Sequence, residues 1–171
     1  MAMLWLIGMM GSGKTEVGRE AAALAGVEFT DVDDRVAAAA GQGIADIFTG
    51  LGEAAFRELE AVAIAALGAA GGDRVVATGG GAVLRPDNVA VMRAAGIVVW
   101  LDAPVAGLAA RIGDGAGRPL LAGTGVVEAL ARIAAERREH YRAAAHHRID
   151  TSGLGVAAAA GEVVRVWRGA S

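Results

Sequence analysis

Residues 8–15 read GMMGSGKT, a string of the form G-x-x-x-x-G-K-[S/T], and its surroundings constrain the chain more than any other segment. The string begins where a short apolar run, Leu4–Ile7, ends, and it leads into an amphipathic helical pattern over Lys14–Ala25. A strand, a tight glycine loop and a helix must follow one another there. Glycines let successive backbone N–H groups turn inward around phosphate oxygens, and the helix N-terminus adds a favourable dipole. With 26 glycines in the chain a chance match has to be weighed. Lysine usage argues against chance, because Lys14 is the single lysine among 16 basic residues. A compact ammonium fits between phosphates where a planar guanidinium does not. Lys14 is therefore expected to reach the β- and γ-phosphates of a nucleotide, with the Thr15 hydroxyl on Mg2+. A guanine-reading N/T-K-x-D motif needs a second lysine, so ATP is the expected nucleotide.

The rest of the chain fits such a start. Short apolar, β-rich runs alternate with helix-like stretches, the pattern of a parallel sheet covered by helices in an α/β fold. The expected strands are Leu4–Ile7, Val27–Thr30, Arg74–Thr78, Ile97–Leu101 and His147–Asp150. Helices are expected over Lys14–Ala25, Glu53–Leu67, Pro86–Ala94, Val105–Ile112, Val126–Ala145 and Val156–Trp167. Ile97–Leu101 reads IVVWL without alternation, as a strand covered on both faces should. A length of 171 residues suits one compact domain, and no repeat or linker interrupts it. A net charge of −3 argues against an extended nucleic-acid footprint. The absence of cysteine removes thiolate metal sites and thiol nucleophiles. The charge-free stretches Met1–Gly13 and Ala61–Gly72 are shorter than the roughly 18–20 residues a membrane span needs. With no signal-peptide pattern at the start, a cytoplasmic protein without a membrane partner is expected.

Two segments break the rhythm. Gly113–Gly125 holds five glycines and a proline, too many for a stable helix. It reads as a surface loop or, in a kinase, as a lid carrying Arg118 over the transferring phosphoryl group. Gly79, Gly80 and Gly81 follow the third strand, where bare backbone can approach a ligand closely.

Asp31-Val32-Asp33 follows the second strand, on the rim where parallel sheets bind ligands. If the strand continues through them, alternation points both carboxylates the same way. One can then hold Mg2+ through water while the other accepts the proton of a substrate hydroxyl. Asp34 is expected to cap the helix that follows; the alternative is that all three acids simply cap and solvate a turn. Arg57 and Arg137 each sit beside glutamate on a helical stretch, which taken alone reads as a solvated ion pair. Together with Arg118, they invite a small anionic alcohol as phosphoryl acceptor.

Several segments, in order and spacing, resemble the shikimate kinase family: GMMGSGKT, FTDVD, IADIF, GEAAFRELE, TGGGAVL, LDAPV, RPLL and RREHYRAAAHHRIDT. The resemblance covers nearly the whole chain and implies a three-layer α/β/α P-loop kinase fold with sheet order 2-3-1-4-5. It implies ATP and Mg2+ as cofactors and shikimate as the substrate, phosphorylated to 3-phosphoshikimate in aromatic amino-acid biosynthesis by a monomer. Catalytic roles fall on Lys14, Asp33 and Arg118, and nucleotide contacts on Gly11, Ser12, Gly13, Lys14, Thr15, Glu16, Arg111 and Arg118. Metal contacts fall on Thr15 and Asp31. Asp33, Arg57, Gly79, Gly80, Gly81 and Arg137 are the implied shikimate contacts, with a substrate-binding segment around 35–61 and a lid around 113–125. Glu16 departs from the second hydroxyl residue many members carry, and Ser152–Gly155 lacks an arginine some place near adenine. The rivals are another small-molecule kinase, such as one acting on gluconate, and a non-catalytic nucleotide-binding protein.

Other residues are expected to be structural. Asp102 before Ala103-Pro104 reads as a helix cap. His140, His146 and His147 lack the spacing of a helical metal pair, and Trp5, Trp100 and Trp167 lie in apolar runs expected to pack.

Overall fold

The computed structural model describes residues 3–116, 118–121 and 125–170. Five strands form one parallel sheet: β1 (Met3–Ile7), β2 (Glu28–Asp31), β3 (Arg74–Ala77), β4 (Gly96–Asp102) and β5 (His147–Asp150), in the order β2-β3-β1-β4-β5. The helices are α1 (Lys14–Ala25), α2 (Val32–Ala40), α3 (Ile44–Ala70), α4 (Pro86–Ala95), α5 (Val105–Ile112), α6 (Val126–Ala144) and α7 (Val156–Gly169).

Alternate side chains of each strand feed two separate cores, which makes the fold three-layered. Met3, Trp5 and Ile7 join Val76, Val98 and Trp100 beneath α2 to α6. Leu4 and Leu6 join Val75, Val99 and Leu101 beneath α1 and α7. The unbroken apolar runs follow from this, since both faces of β1 and β4 need covering. All three tryptophans are buried as expected. No helix among the described residues is long and apolar enough to cross a membrane.

Two elements differ from expectation. The strand ends at Asp31 and does not run through Asp33; the alanine-rich VDDRVAAAA starts α2 at once. Alanine's helix propensity, with Gly41 in the left-handed region at the far end, accounts for it. Second, α3 begins at Ile44 and is interrupted at Gly52 (φ 85°, ψ 168°), so the expected start at Glu53 is the start of its second half.

Asp102 is not a helix cap. Pro104 occupies the position before α5, while Asp102 accepts from Arg148 Nε at 2.9 Å and pairs with its Nη2 at 2.7 Å. His146 serves the backbone, its Nδ1 accepting from Val98 N at 3.0 Å, and burial lowers its pKa.

Where β4 starts against β1, a Cβ on Gly96 would lie 1.8 Å from the Met3 carbonyl oxygen, so position 96 has no room for a side chain. Gly161, mid-α7 and exposed, has nothing within 4 Å of such a position. Gly96→Ala should lower unfolding free energy by about 3 kcal/mol, and Gly161→Ala should raise it by about 1 kcal/mol. Urea titration of both variants checks the contrast.

Candidate active site

The loop between β1 and α1 turns on glycine. Gly11 and Gly13 hold φ values of 77° and 87°, and Ser12 N closes a turn on Met9 O at 3.1 Å. Left-handed backbone of this kind points consecutive amides into a concavity at the start of α1. Lys14 folds back over the loop, its Nζ donating to Gly8 O and Met9 O at 2.9 Å each. Burial lowers its pKa from 10.5 to about 8, opposed by Asp33 and Asp31 and reinforced by Arg118 and Arg137.

The acidic pair reaches this loop by a route the sequence did not suggest. Asp31, not Asp34, caps α2, its Oδ1 accepting from Asp33 N at 3.0 Å. Its Oδ2 accepts from Thr15 Oγ1 at 2.8 Å. Asp34 lies in the first turn of α2. The first helical turn, rather than strand alternation, then carries Asp33 into the site. Asp33 Oδ1 is buried without a hydrogen-bond partner, and burial raises its pKa, with Asp31 adding to the effect.

Two cavities meet here. One, of about 520 Å³, is lined by the residues from Met10 to Val17, by Asp31, Arg111 and Arg118, and at its far end by Thr151, Leu154 and Val156. The other, of about 370 Å³, is lined by Phe48, Phe56, Arg57, Gly81, Leu120 and Arg137 among others. Met10, Asp33, Gly79, Gly80 and Arg118 line both. Asp33 and Arg118 therefore stand at the passage between them. Arg111 donates to Gly11 O at 3.3 Å, and Glu16 is exposed on the rim of the first cavity. Within the expected lid, residues 117 and 122–124 lie outside the described residues; Pro119–Leu121 forms a 3-10 turn beside Arg118.

The second cavity is anionic-ligand territory. Arg137 is 5% exposed, and its Nη1 has no hydrogen-bond partner. Arg57 forms the expected exposed pair with Glu53 at 3.2 Å, but its shorter pair, to Glu60 at 2.9 Å, is not a solvated surface feature. Glu60 is fully buried, and burial raises its pKa against the pull of Arg57. Phe48 and Phe56 give the cavity an apolar wall, their ring centroids 4.7 Å apart. None of the three glycines at 79–81 is left-handed; at Gly79 and Gly81 the constraint is space, not φ. A Cβ on Gly81 would lie 2.5 Å from Arg57 Cζ, and one on Gly79 would lie 2.3 Å from Glu60 Oε1.

Sequence reasoning missed Glu60, which its spacing of three from Arg57 disguised as half of a surface pair. It also left out Phe48, Phe56 and the Thr151–Val156 end of the first cavity. The arrangement can hold a polyphosphate at the loop, a small anion between Arg57 and Arg137, and a hydroxyl at Asp33 between them.

Comparisons with known proteins agree with this geometry. A family model described as shikimate kinase matches residues 10–168. The chain is 49% identical to a shikimate kinase of Symbiobacterium thermophilum, over 85% of this chain and 84% of that one. It is 45% identical to a shikimate kinase of Geobacter sulfurreducens, over 88% of this chain and 82% of that one. A solved shikimate kinase from Acinetobacter baumannii in complex with shikimate superposes with a TM-score of 0.95 at 33% identity, covering 100% of this chain and 95% of that one. The phosphate loop, the two joined cavities and these matches have one common reading: the chain belongs to the shikimate kinase family.

Proposed function

We propose that this chain transfers the γ-phosphoryl group of ATP to the 3-hydroxyl of shikimate, giving ADP, 3-phosphoshikimate and a proton. The observation that carries this reading is the position of Asp33 where the phosphate-loop cavity opens into the arginine-lined one. In that place one carboxylate faces both the group to be transferred and the alcohol that receives it.

The residues divide the work by chemistry. Amides at Gly11–Gly13 and the Lys14 ammonium hold the phosphates, with Arg111 at the adenine side and Glu16 at the rim. Thr15 and Asp31 offer adjacent hard oxygen donors at the loop, and no cluster of three or more metal-ligating side chains exists among the described residues. That donor set fits Mg2+, which is commonly held by one or two protein oxygens together with substrate phosphates and water. The bound ion would supply neutralising charge on the phosphates. Arg57 and Arg137 bind the shikimate carboxylate, and the glycine triplet lets the ring approach the backbone.

Asp33 orients the 3-hydroxyl and accepts its proton, a task that the raised pKa of a buried carboxylate suits. Arg118 offsets charge on the phosphoryl group in flight. Closure of the segment around 113–125 over the nucleotide excludes water that would otherwise take the phosphoryl group. The reading extends to one catalytic domain acting as a cytoplasmic monomer, with residues 35–61 as the substrate-binding segment.

ADP release measured with shikimate, with gluconate and with no acceptor tests the assignment. Shikimate alone should give sustained turnover; equal release with gluconate or without acceptor would sink it. Lys14→Ala should abolish turnover while leaving the unfolding midpoint near wild type. Arg57→Ala should weaken shikimate binding by roughly 2–4 kcal/mol, read as a rise in KM, with unfolding followed in parallel because Glu60 loses its partner. An unchanged KM removes Arg57 from the site.

The pH profile has a sign set by two groups. Activity needs Asp33 deprotonated and Lys14 protonated. Burial moves the first up from the ordinary carboxylate range and the second down to about 8. The kcat/KM for ATP should therefore fall as pH rises through about 8. The alkaline limb of kcat should lie at higher pH, because bound phosphates favour the ammonium.

A further inference from the structure

Tyr141 is the sole tyrosine in the chain and is 1% exposed, on α6 one turn after Arg137. Its ring lies in the larger core, stacked on Trp100 with centroids 5.6 Å apart and planes at 23°. Arg138 and Arg148 lie over Trp100 at 5.6 and 5.3 Å. A phenylalanine would fill the same volume, so packing explains the ring and leaves the hydroxyl unexplained.

The hydroxyl donates to the carbonyl oxygen of Gly80, the middle residue of the triplet that lines both cavities. Anchoring that carbonyl fixes the plane of the peptide joining Gly80 to Gly81, since a trans peptide leaves only rotation of the whole unit. Arg137 lies against the same backbone: a Cβ on Gly80 would be 3.3 Å from its unpartnered Nη1. Burial pushes the Tyr141 hydroxyl up to about 12, and Arg137 opposes this both by charge and by hydrogen bonding. Arg57 and Glu60 also face it, with opposite effects. One buried oxygen thus stands between the glycine backbone and the arginine expected to grip the substrate.

We infer that the Tyr141 hydroxyl is a positioning group for the acceptor cavity, holding Gly80 and Arg137 in the arrangement that receives the carboxylate of the hydroxy acid. This rests on the shikimate reading above. Its effect is expected on acceptor binding and not on the phosphoryl-transfer step, because the group it holds is the Gly80 carbonyl on the wall that Arg137 shares with the arginine-lined cavity.

Tyr141→Phe tests it. The shikimate KM should rise about tenfold, the scale of one buried hydrogen bond lost with its carbonyl left unpaired. The kcat and the ATP KM should stay within about twofold. A lowered unfolding midpoint with unchanged shikimate KM would assign the hydroxyl to stability alone and overturn the inference, as would a fall in kcat at constant KM. If the variant does not fold, the wild-type protein still answers. Labelling tyrosine at 13Cζ gives a single resonance, which saturating shikimate should move and ADP alone should move less. An unmoved resonance overturns the inference. Absence of shikimate turnover in the wild type would instead bring down the function reading, and this inference with it.

Discussion

Both oxygens of Asp31 are committed, and the site depends on that. One accepts from Thr15 at the start of α1, the other from the amide of Asp33 at the start of α2. The two helices leave β1 and β2, which are separated by β3, and the shared acceptor ties their first turns to each other directly. Through it, the phosphate loop and the acceptor-side carboxylate become parts of one rigid corner. The parallel pairing of β2, β3, β1 and β4 brings the carboxyl ends of the strands to that rim.

Around this corner the charges are buried or half-buried and mixed in sign. Lys14, Arg57 and Arg137 face Asp31, Asp33 and Glu60 across short distances, and several of their polar atoms have no partner: Asp33 Oδ1, Glu60 Oε1 and Arg137 Nη1. Buried polar atoms are ordinarily satisfied. Asp33 and Arg137 carry their unpartnered atoms at the wall of a cavity, which is what a site built for a polar ligand presents before the ligand arrives. The lowered pKa of Lys14 and the raised ones of Asp33 and Glu60 have the same origin, since desolvation disfavours whichever form is charged.

Much of this was legible in the chain. Unbroken apolar runs announced strands covered on both faces, and GMMGSGKT fixed where the first of them had to end. The starts of α1, α5 and α6 could be read to the residue from the pattern of their apolar faces. The sheet order came from family likeness, since β-strand neighbours three elements apart leave no local mark. What failed did so for physical reasons. VDDRVAAAA offers no apolar stripe wide enough to advertise a helix, and its propensity prevails only once Asp31 caps it. Glu60 looks solvated in sequence because burial is decided by Gly79, nineteen residues away, whose missing side chain makes room for it. Asp102 found a cation on the neighbouring strand, Arg148, that no local spacing could reveal.

The interruption of α3 at Gly52 divides the acceptor cavity into two mechanical parts. Ile44 and Phe48 precede the joint, while Phe56, Arg57 and Glu60 follow it on the longer, better-buttressed half. Two backbone torsions at one residue therefore set the angle between the short segment that carries Phe48 and the longer one that carries Arg57. The Phe48–Phe56 contact spans the joint and ties the two segments together on the cavity side.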